Sequence, residues 1–332
     1  MTYLFASTPV VVLLLIAGDL DVTTATVVAG AAPLIYATLG ETITEKAGVV
    51  NLSLDGSLLL SAMAGFAGAY VSGNVIVGFV LAALVSAIVA LIIAYGSIEL
   101  GLNQIAVGFV LFLLTAELSA LLGAPYVREP GPSVPRLEIP LLADIPFFGR
   151  ALFQHNLSIY GSFVLIAVTY WFFYRTRQGL ELQAVGERPE AAFARGISVR
   201  ATRYFYTALG GALVGIGGAA FSLDQKFGWS EGHVRNIGWI ALAIVIFGGW
   251  HPVRVAIGAY LFGALQVAAL KLQPVFPNLS QVLPILPFPT MILTLVVINR
   301  PGFRVLGDRF VSLRKFLTSE APASIATNFE QQ

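Results

Sequence analysis

The chain has no cysteine in 332 residues, which excludes disulfides, thiolate nucleophiles and cysteine-ligated metals and leaves the redox compartment unread. Charge is also scarce: 11% of residues are Asp, Glu, Lys or Arg against 57% hydrophobic, and the mean hydropathy is +0.82. Ordinary water-soluble domains do not have that composition. The expected fold class is therefore all-α, a polytopic integral membrane protein, because helices satisfy their own backbone groups inside lipid. The three histidines, His155, His233 and His251, fall in separate loops and never reach metal-ligand spacing. No Gly-x-x-x-x-Gly-Lys-Ser/Thr phosphate cradle is present, and no Ser-His-Asp or paired-carboxylate signature stands at a workable spacing. No basic stretch is interleaved with aromatics. The sequence thus gives no reason to expect an enzyme, a cofactor, a metal site or a nucleic-acid partner.

What is present is a succession of apolar runs. About ten transmembrane helices are expected: Tyr3–Ala17, Thr23–Leu39, Leu58–Tyr70, Val75–Tyr95, Gln104–Leu122, Leu157–Tyr174, Ala201–Leu223, Ile237–Phe247, Val255–Leu270 and Ile285–Ile298. Met1–Ser7 carries no Lys or Arg, so the first run reads as an uncleaved segment and not as a signal peptide. Residues 40–57 are too polar to face lipid and too apolar for a solvated loop, which suggests a broken helix buried among others. Such breaks often mark a transport path. Residues 123–156 hold Pro125, Pro130, Pro132, Pro135, Pro140 and Pro146 with charges of both signs, and read as an extramembrane loop. Residues 1–315 form one transmembrane domain in this reading, and 316–332 a polar tail expected to be mobile at its end.

The cations cluster. Of 19 Lys and Arg, six arginines (Arg175, Arg177, Arg188, Arg195, Arg200, Arg203) surround a short charged insert at 186–197, and five cations (Arg300, Arg304, Arg309, Arg314, Lys315) lie in the tail. Cations near span ends stay cytoplasmic, and four spans separate the two clusters, so both are expected inside together with the N-terminus. The loops 123–156 and 224–236 are then extracytoplasmic. Glu117 is the foremost candidate for a titratable group within a span, and the scarcity of such groups argues for energy supplied from outside the chain. Gly211 and Gly215 have the Gly-x-x-x-Gly spacing that permits close helix approach.

Four blocks in order carry a resemblance. They are Gly40-Glu-Thr-Ile-Thr-Glu-Lys-Ala-Gly-Val-Val-Asn-Leu-Ser-Leu-Asp-Gly56, Leu102-Asn-Gln-Ile-Ala-Val-Gly108, Gly186-Glu-Arg-Pro-Glu-Ala-Ala192 with Gly196-Ile-Ser-Val199, and the glycine cluster 211–219 followed by 238–252. Together they span about residues 25–300. The chain resembles the permease subunits of bacterial ABC importers for nucleosides and simple sugars, within the wider ribose and branched-chain amino acid permease group.

The resemblance implies a membrane-spanning permease subunit in the bacterial cytoplasmic membrane, driven by a separate ATP-binding cassette ATPase. It also implies a second permease subunit, copy or paralogue, and an extracytoplasmic substrate-binding protein. The segment carrying Glu187, Arg188, Pro189, Glu190, Ala191, Ala192, Arg195 and Gly196 is similar to the cytoplasmic coupling helix that seats in the ATPase. Pro189 suits the first helical position, where its missing N–H costs nothing. Asn51, Ser53, Asp55, Asn103, Gln104 and Trp239 are expected along the substrate path, the polar ones as partners for hydroxyls or base edges. Trp229, Trp250 and Phe227 share with Trp239 the capacity to stack on a base. The Gly-Glu-Thr-Ile-Thr-Glu-Lys-Ala-Gly form resembles the nucleoside branch more than the ribose branch. The alternatives are a simple sugar or, from a different class, an ion-coupled secondary transporter.

Overall fold

A computed structural model describes residues 20–279, 281–285, 287–290, 293 and 321–327. The expected span Tyr3–Ala17, most of Ile285–Ile298 and most of the tail from Asn299 lie outside the described residues. In chain order the helices are α1 (Leu20–Lys46), α2 (Leu54–Ser72), α3 (Val75–Ile98), α4 (Gln104–Gly123), α5 (Leu157–Arg175), α6 (Arg177–Glu187), α7 (Pro189–Ala194), α8 (Val199–Ala220), α9 (Ile237–Gly248) and α10 (Pro252–Leu272). Among the described residues seven are long and apolar enough to cross a bilayer: α1 to α5, α8 with its extension to Gln225, and α10. The expected span at 237–247 is the 12-residue α9, about 18 Å long at ~1.5 Å per residue, well short of a ~30 Å hydrocarbon core.

Polar side chains cap five of the ten helix starts among the described residues. The side chains of Asn74, Asn103, Asn156, Thr176 and Ser198 accept from the first free N–H groups of α3, α4, α5, α6 and α8 respectively. Glycine sets three ends by one device. At Gly48 (φ +88°), the Gly48 N–H donates to Glu45 O (2.9 Å) and the Val49 N–H to Thr44 O (3.3 Å). The same pair of bonds recurs at Gly196, closing α7, and at Gly249, closing α9.

α1 and α8 form the centre, with α2, α3, α5 and α10 packed around them. The approach is close because glycine lies on both sides: a Cβ on Gly40 of α1 would lie 2.5 Å from Gly210 O of α8. Gly211 and Gly215 face α3, where a Cβ on Gly211 would meet Ala90 Cβ at 2.5 Å, so the Gly-x-x-x-Gly pair is a packing contact. The outward faces of α3 and α4 are apolar and exposed, with Ile76, Leu84, Ile88, Val110, Leu113 and Leu121 pointing away from the core, as expected of lipid-facing helices.

Two ends of the bundle are distinct. One carries the loop 124–156, whose strands β1 (Arg136–Glu138) and β2 (Gln154–Asn156) pair antiparallel, and the turn after α8. The other carries α6, α7 and the link between α9 and α10. Residues 321–327 are also at this second end, docked against Gly186 and Gly48; the end of the tail expected to be mobile lies outside the described residues. Backbone bonds and a buried Ser324, none of which compositional polarity reveals, hold them there.

Candidate functional site

Two interruptions in the helical framework meet inside the bundle. The first is 47–53, between α1 and α2. The polar run before it remains helical to Lys46, because Thr42 Oγ1 and Thr44 Oγ1 donate back to Thr38 O and Gly40 O (2.7 and 3.2 Å). Its carboxylates find long-range donors: Glu41 Oε1 accepts from the Asn51 N–H (2.9 Å), and Glu45 from the Trp250 indole. Glu41 and Glu45, one helical turn apart, are 0% and 2% exposed.

Three N–H groups in the break, those of Val50, Asn51 and Ser53, acquire side-chain acceptors. Gln104 Oε1 accepts from the Val50 N–H (2.9 Å), while its Nε2 donates to Ser97 Oγ (2.8 Å). Asn51 Oδ1 accepts from both the N–H (3.1 Å) and the hydroxyl (2.6 Å) of Ser53, whose Oγ lies 3.0 Å from Ser57 Oγ. The second interruption precedes α9. Asn236, in the left-handed region at φ +71°, supplies no cap of its own. Asp55 in the first turn of α2 does so instead, accepting from the N–H groups of Gly238 (2.8 Å) and Asn236 (3.2 Å). A buried charge needs several such donors to be tolerated.

Of the six residues expected along a substrate path, Asn51, Ser53, Asp55 and Gln104 are therefore buried and committed to holding the two interruptions. Asn51 Nδ2 keeps a donor without a partner in the described structure. Asn103 is exposed and caps α4, and Trp239 is half-buried with its ring edge-on to Phe112 at 5.3 Å. Among the other aromatics, Trp229 is buried against Gly123 and Trp250 is tied to Glu45, so both are structural; Phe227 is exposed and borders a cleft of about 550 Å³ with Arg136, His155 and Asp224.

Glu117 is not inside the fold: it lies on the exposed face of α4. The buried carboxylates are Glu41, Glu45, Asp55 and Asp224, the last held by Asn156 and Ser158. The expectation that few titratable groups lie within the spans is corrected accordingly. The Glu-x-x-x-Glu spacing of 41 and 45 is the signal for it, once the helix is carried through to Lys46.

At the other end, 186–197 folds as a short helix, α7, following the last residues of α6. Pro189 takes its first position. Pro189 and Ala192 are buried, and Ala192 packs with Val185, Val199 and Ile197 in a small separate core. That anchoring leaves Glu187, Arg188, Glu190, Ala191, Arg195 and Gly196 exposed. Phe193, which type-based reasoning passed over, is 44% exposed on the same turn. A groove of about 480 Å³ runs between α6 and α7, bordered by Arg177, Glu181, Glu187, Arg188 and Arg195.

Residues 23–295 match the model of the family described as branched-chain amino acid transport system / permease component. TsgC13 of Haloferax volcanii, named as a candidate glucose ABC transporter permease protein, is 37% identical over 250 residues, 74% of this chain and 76% of that protein. The guanosine ABC transporter permease protein NupQ of Bacillus subtilis is 30% identical over 272 residues (76% and 83%). The nucleoside ABC transporter permease protein NupC of Lactococcus lactis is 29% identical over 249 residues (72% and 78%). The latter two organisms each contribute a second similar permease, NupP and NupB. No solved structure matches.

Proposed function

The chain belongs to the branched-chain amino acid transport system permease family, and from that premise we propose that it forms the translocation path of an ATP-driven importer for nucleosides, powered by a separate ATPase subunit. The observation that carries the coupling role is α7. Its apolar side is locked by Pro189 and Ala192, so its exposed charges stand on a rigid element able to transmit a push. Arg188, Glu190 and Arg195 are the polar contacts to the ATPase, with Glu187, Ala191 and Gly196 shaping the same surface. In this reading α6, α7 and 321–327 are on the cytoplasmic side and loop 124–156 is outside. The tail segment's position beside Gly186 supports the arginine parity that puts both at one face.

Asn51, Asn103 and Trp239 are the path residues with capacity left for substrate, while Ser53, Asp55 and Gln104 hold the breaks that shape it. A simple sugar is the second reading, favoured by the 37% identity to a protein named for glucose. The paired permeases of the relatives support a second permease subunit, and ABC membership supports an extracytoplasmic binding protein.

The test is uptake into proteoliposomes holding the permease pair, the ATPase and the binding protein. ATP-dependent entry of labelled guanosine, outcompeting glucose, is the expected result; the reverse preference assigns the sugar reading. Transport on an ion gradient with no ATPase present would overturn both. The double variant Glu190→Arg with Arg195→Glu should abolish ATPase association, and unchanged association and uptake would remove the coupling assignment.

A further inference from the structure

Residues 321–327 thread a notch between three elements that are distant in sequence. The Ser324 N–H and Oγ both donate to Gly186 O (2.9 and 2.7 Å), at the end of α6. The Ala323 N–H donates to Glu187 Oε2 (3.3 Å), one residue before the α6–α7 joint. On the opposite side the Ala326 N–H donates to Gly48 O (3.3 Å), where α1 breaks. The floor is Arg203 in α8, only 2% exposed, whose Nη1 and Nη2 donate to Thr327 O (3.1 Å) and Ser324 Oγ (3.4 Å).

Glycine makes the room: a Cβ on Gly48 would lie 2.9 Å from Ser324 Oγ and 3.0 Å from Arg203 Nη2. Pro322 and Ser324 are buried. Arg203 forms no salt bridge among the described residues, so the tail supplies acceptors that a buried guanidinium requires.

We infer that 321–327 is a tether joining the end of α6, which leads directly into α7, to the helix break at 47–53, so that displacement of the coupling segment moves the break. The inference rests on the coupling role proposed for α7. Without the tail, α6 meets the end of α1 through the apolar packing of Leu182 with Ile43 and Ala47 and the close approach of Gly186 to Lys46 O, contacts that hold no hydrogen bond between the two among the described residues and can slide. With it, hydrogen bonds from one peptide span Gly186, Glu187, Gly48 and Arg203, and a bonded bridge resists sliding. Arg203 and Ser324 are positioning residues in this device.

The test uses the complete transporter with its permease chain truncated after Glu320. Uptake should fall at least tenfold while the ATPase still co-purifies, and ATP hydrolysis should no longer rise on addition of loaded binding protein. Uptake within twofold of the full chain overturns the tether, as does loss of ATPase binding, which would make the tail an anchor for the partner. Because truncation exposes Arg203 and can unfold the chain, a second measurement uses the full length. Spin labels at Ala321→Cys and Ala191→Cys, in a chain with no native cysteine, should give one narrow distance, the same in nucleotide-free and ATP-trapped states. A broad or state-dependent distance overturns the tether. If truncation is silent but the Glu190/Arg195 double variant abolishes uptake, the tether alone fails; if that double variant is silent, the coupling reading fails.

Discussion

At the scale of single residues, the interruptions are held by side chains whose backbone partners lie far away in sequence. Asp55 accepts two N–H groups at the start of α9, and nothing local replaces it, since Asn236 makes no cap. Asp55→Ala leaves both donors without acceptors and should cost about 2–3 kcal/mol, seen as a lower thermal midpoint in detergent. Asp55→Asn keeps one acceptor oxygen and should lose about half of that. Equal midpoints for all three chains would mean that the cap does not stabilise α9.

His251 offers a test by pH. Burial first, and then the Arg254 guanidinium, push its pKa down from 6.5 to about 4. The unfolded chain takes up this proton near pH 6.5, while the folded chain resists until about 4. The unfolded state therefore binds more protons across that window, and stability falls as pH drops through it. With half-burial discounted for solvent screening, the loss should be about 2 kcal/mol. The midpoint of the native chain should decline between pH 6.5 and 4, and that of His251→Gln should decline less. Parallel slopes would assign the acid sensitivity to other groups.

At the scale of elements, the glycine that ends α1 does two things at once. Gly48 adopts φ +88° and lies against Ser324 and Arg203, whereas Gly73 adopts φ +66° after α2 with nothing within 4 Å. A left-handed non-glycine residue costs about 1–2 kcal/mol. Gly73→Ala should therefore show that cost alone, and Gly48→Ala the same cost plus displacement of the tail. The difference between their midpoints in the full chain should shrink in chains truncated after Glu320, where only the Arg203 contact is left at Gly48. If it is undiminished, the tail is not what crowds Gly48.

These elements also show which features a sequence exposes. The proline opening α7 and the lipid-facing runs depend on neighbours a few residues away, and both were legible. The continuation of α1 through Glu41 and Glu45 was not. A polar run reads as a break unless its distant donors, Asn51 and Trp250, are known. The bounds of α9 were legible in its apolar run, but not that its start is capped by Asp55 from α2. Of the path residues named by type, the structure shows most to be spent on the scaffold, a role that depends on tertiary partners and not on residue chemistry.

At the scale of the whole molecule, Glu117 is the residue that tests the proposed second permease subunit. It sits near the middle of the span Gln104–Tyr126, on an exposed face with Leu113, Leu114 and Leu121 around it. It has no hydrogen bond or salt bridge among the described residues. A carboxylate facing lipid at that depth costs about 2.5–3.5 kcal/mol even on the mildest scale. Leu84 on α3 is exposed too, but it is apolar and at no disadvantage in lipid. If the second permease subunit and the path between them cover the α4 face, water reaches position 117 and not position 84. In the assembled transporter, Glu117→Cys should then react with a membrane-impermeant thiol reagent at least tenfold faster than Leu84→Cys, and the absence of native cysteine makes the comparison direct. Equal, slow labelling at both positions would place Glu117 against lipid or dry protein, and the stability of the α4 face would need a different account.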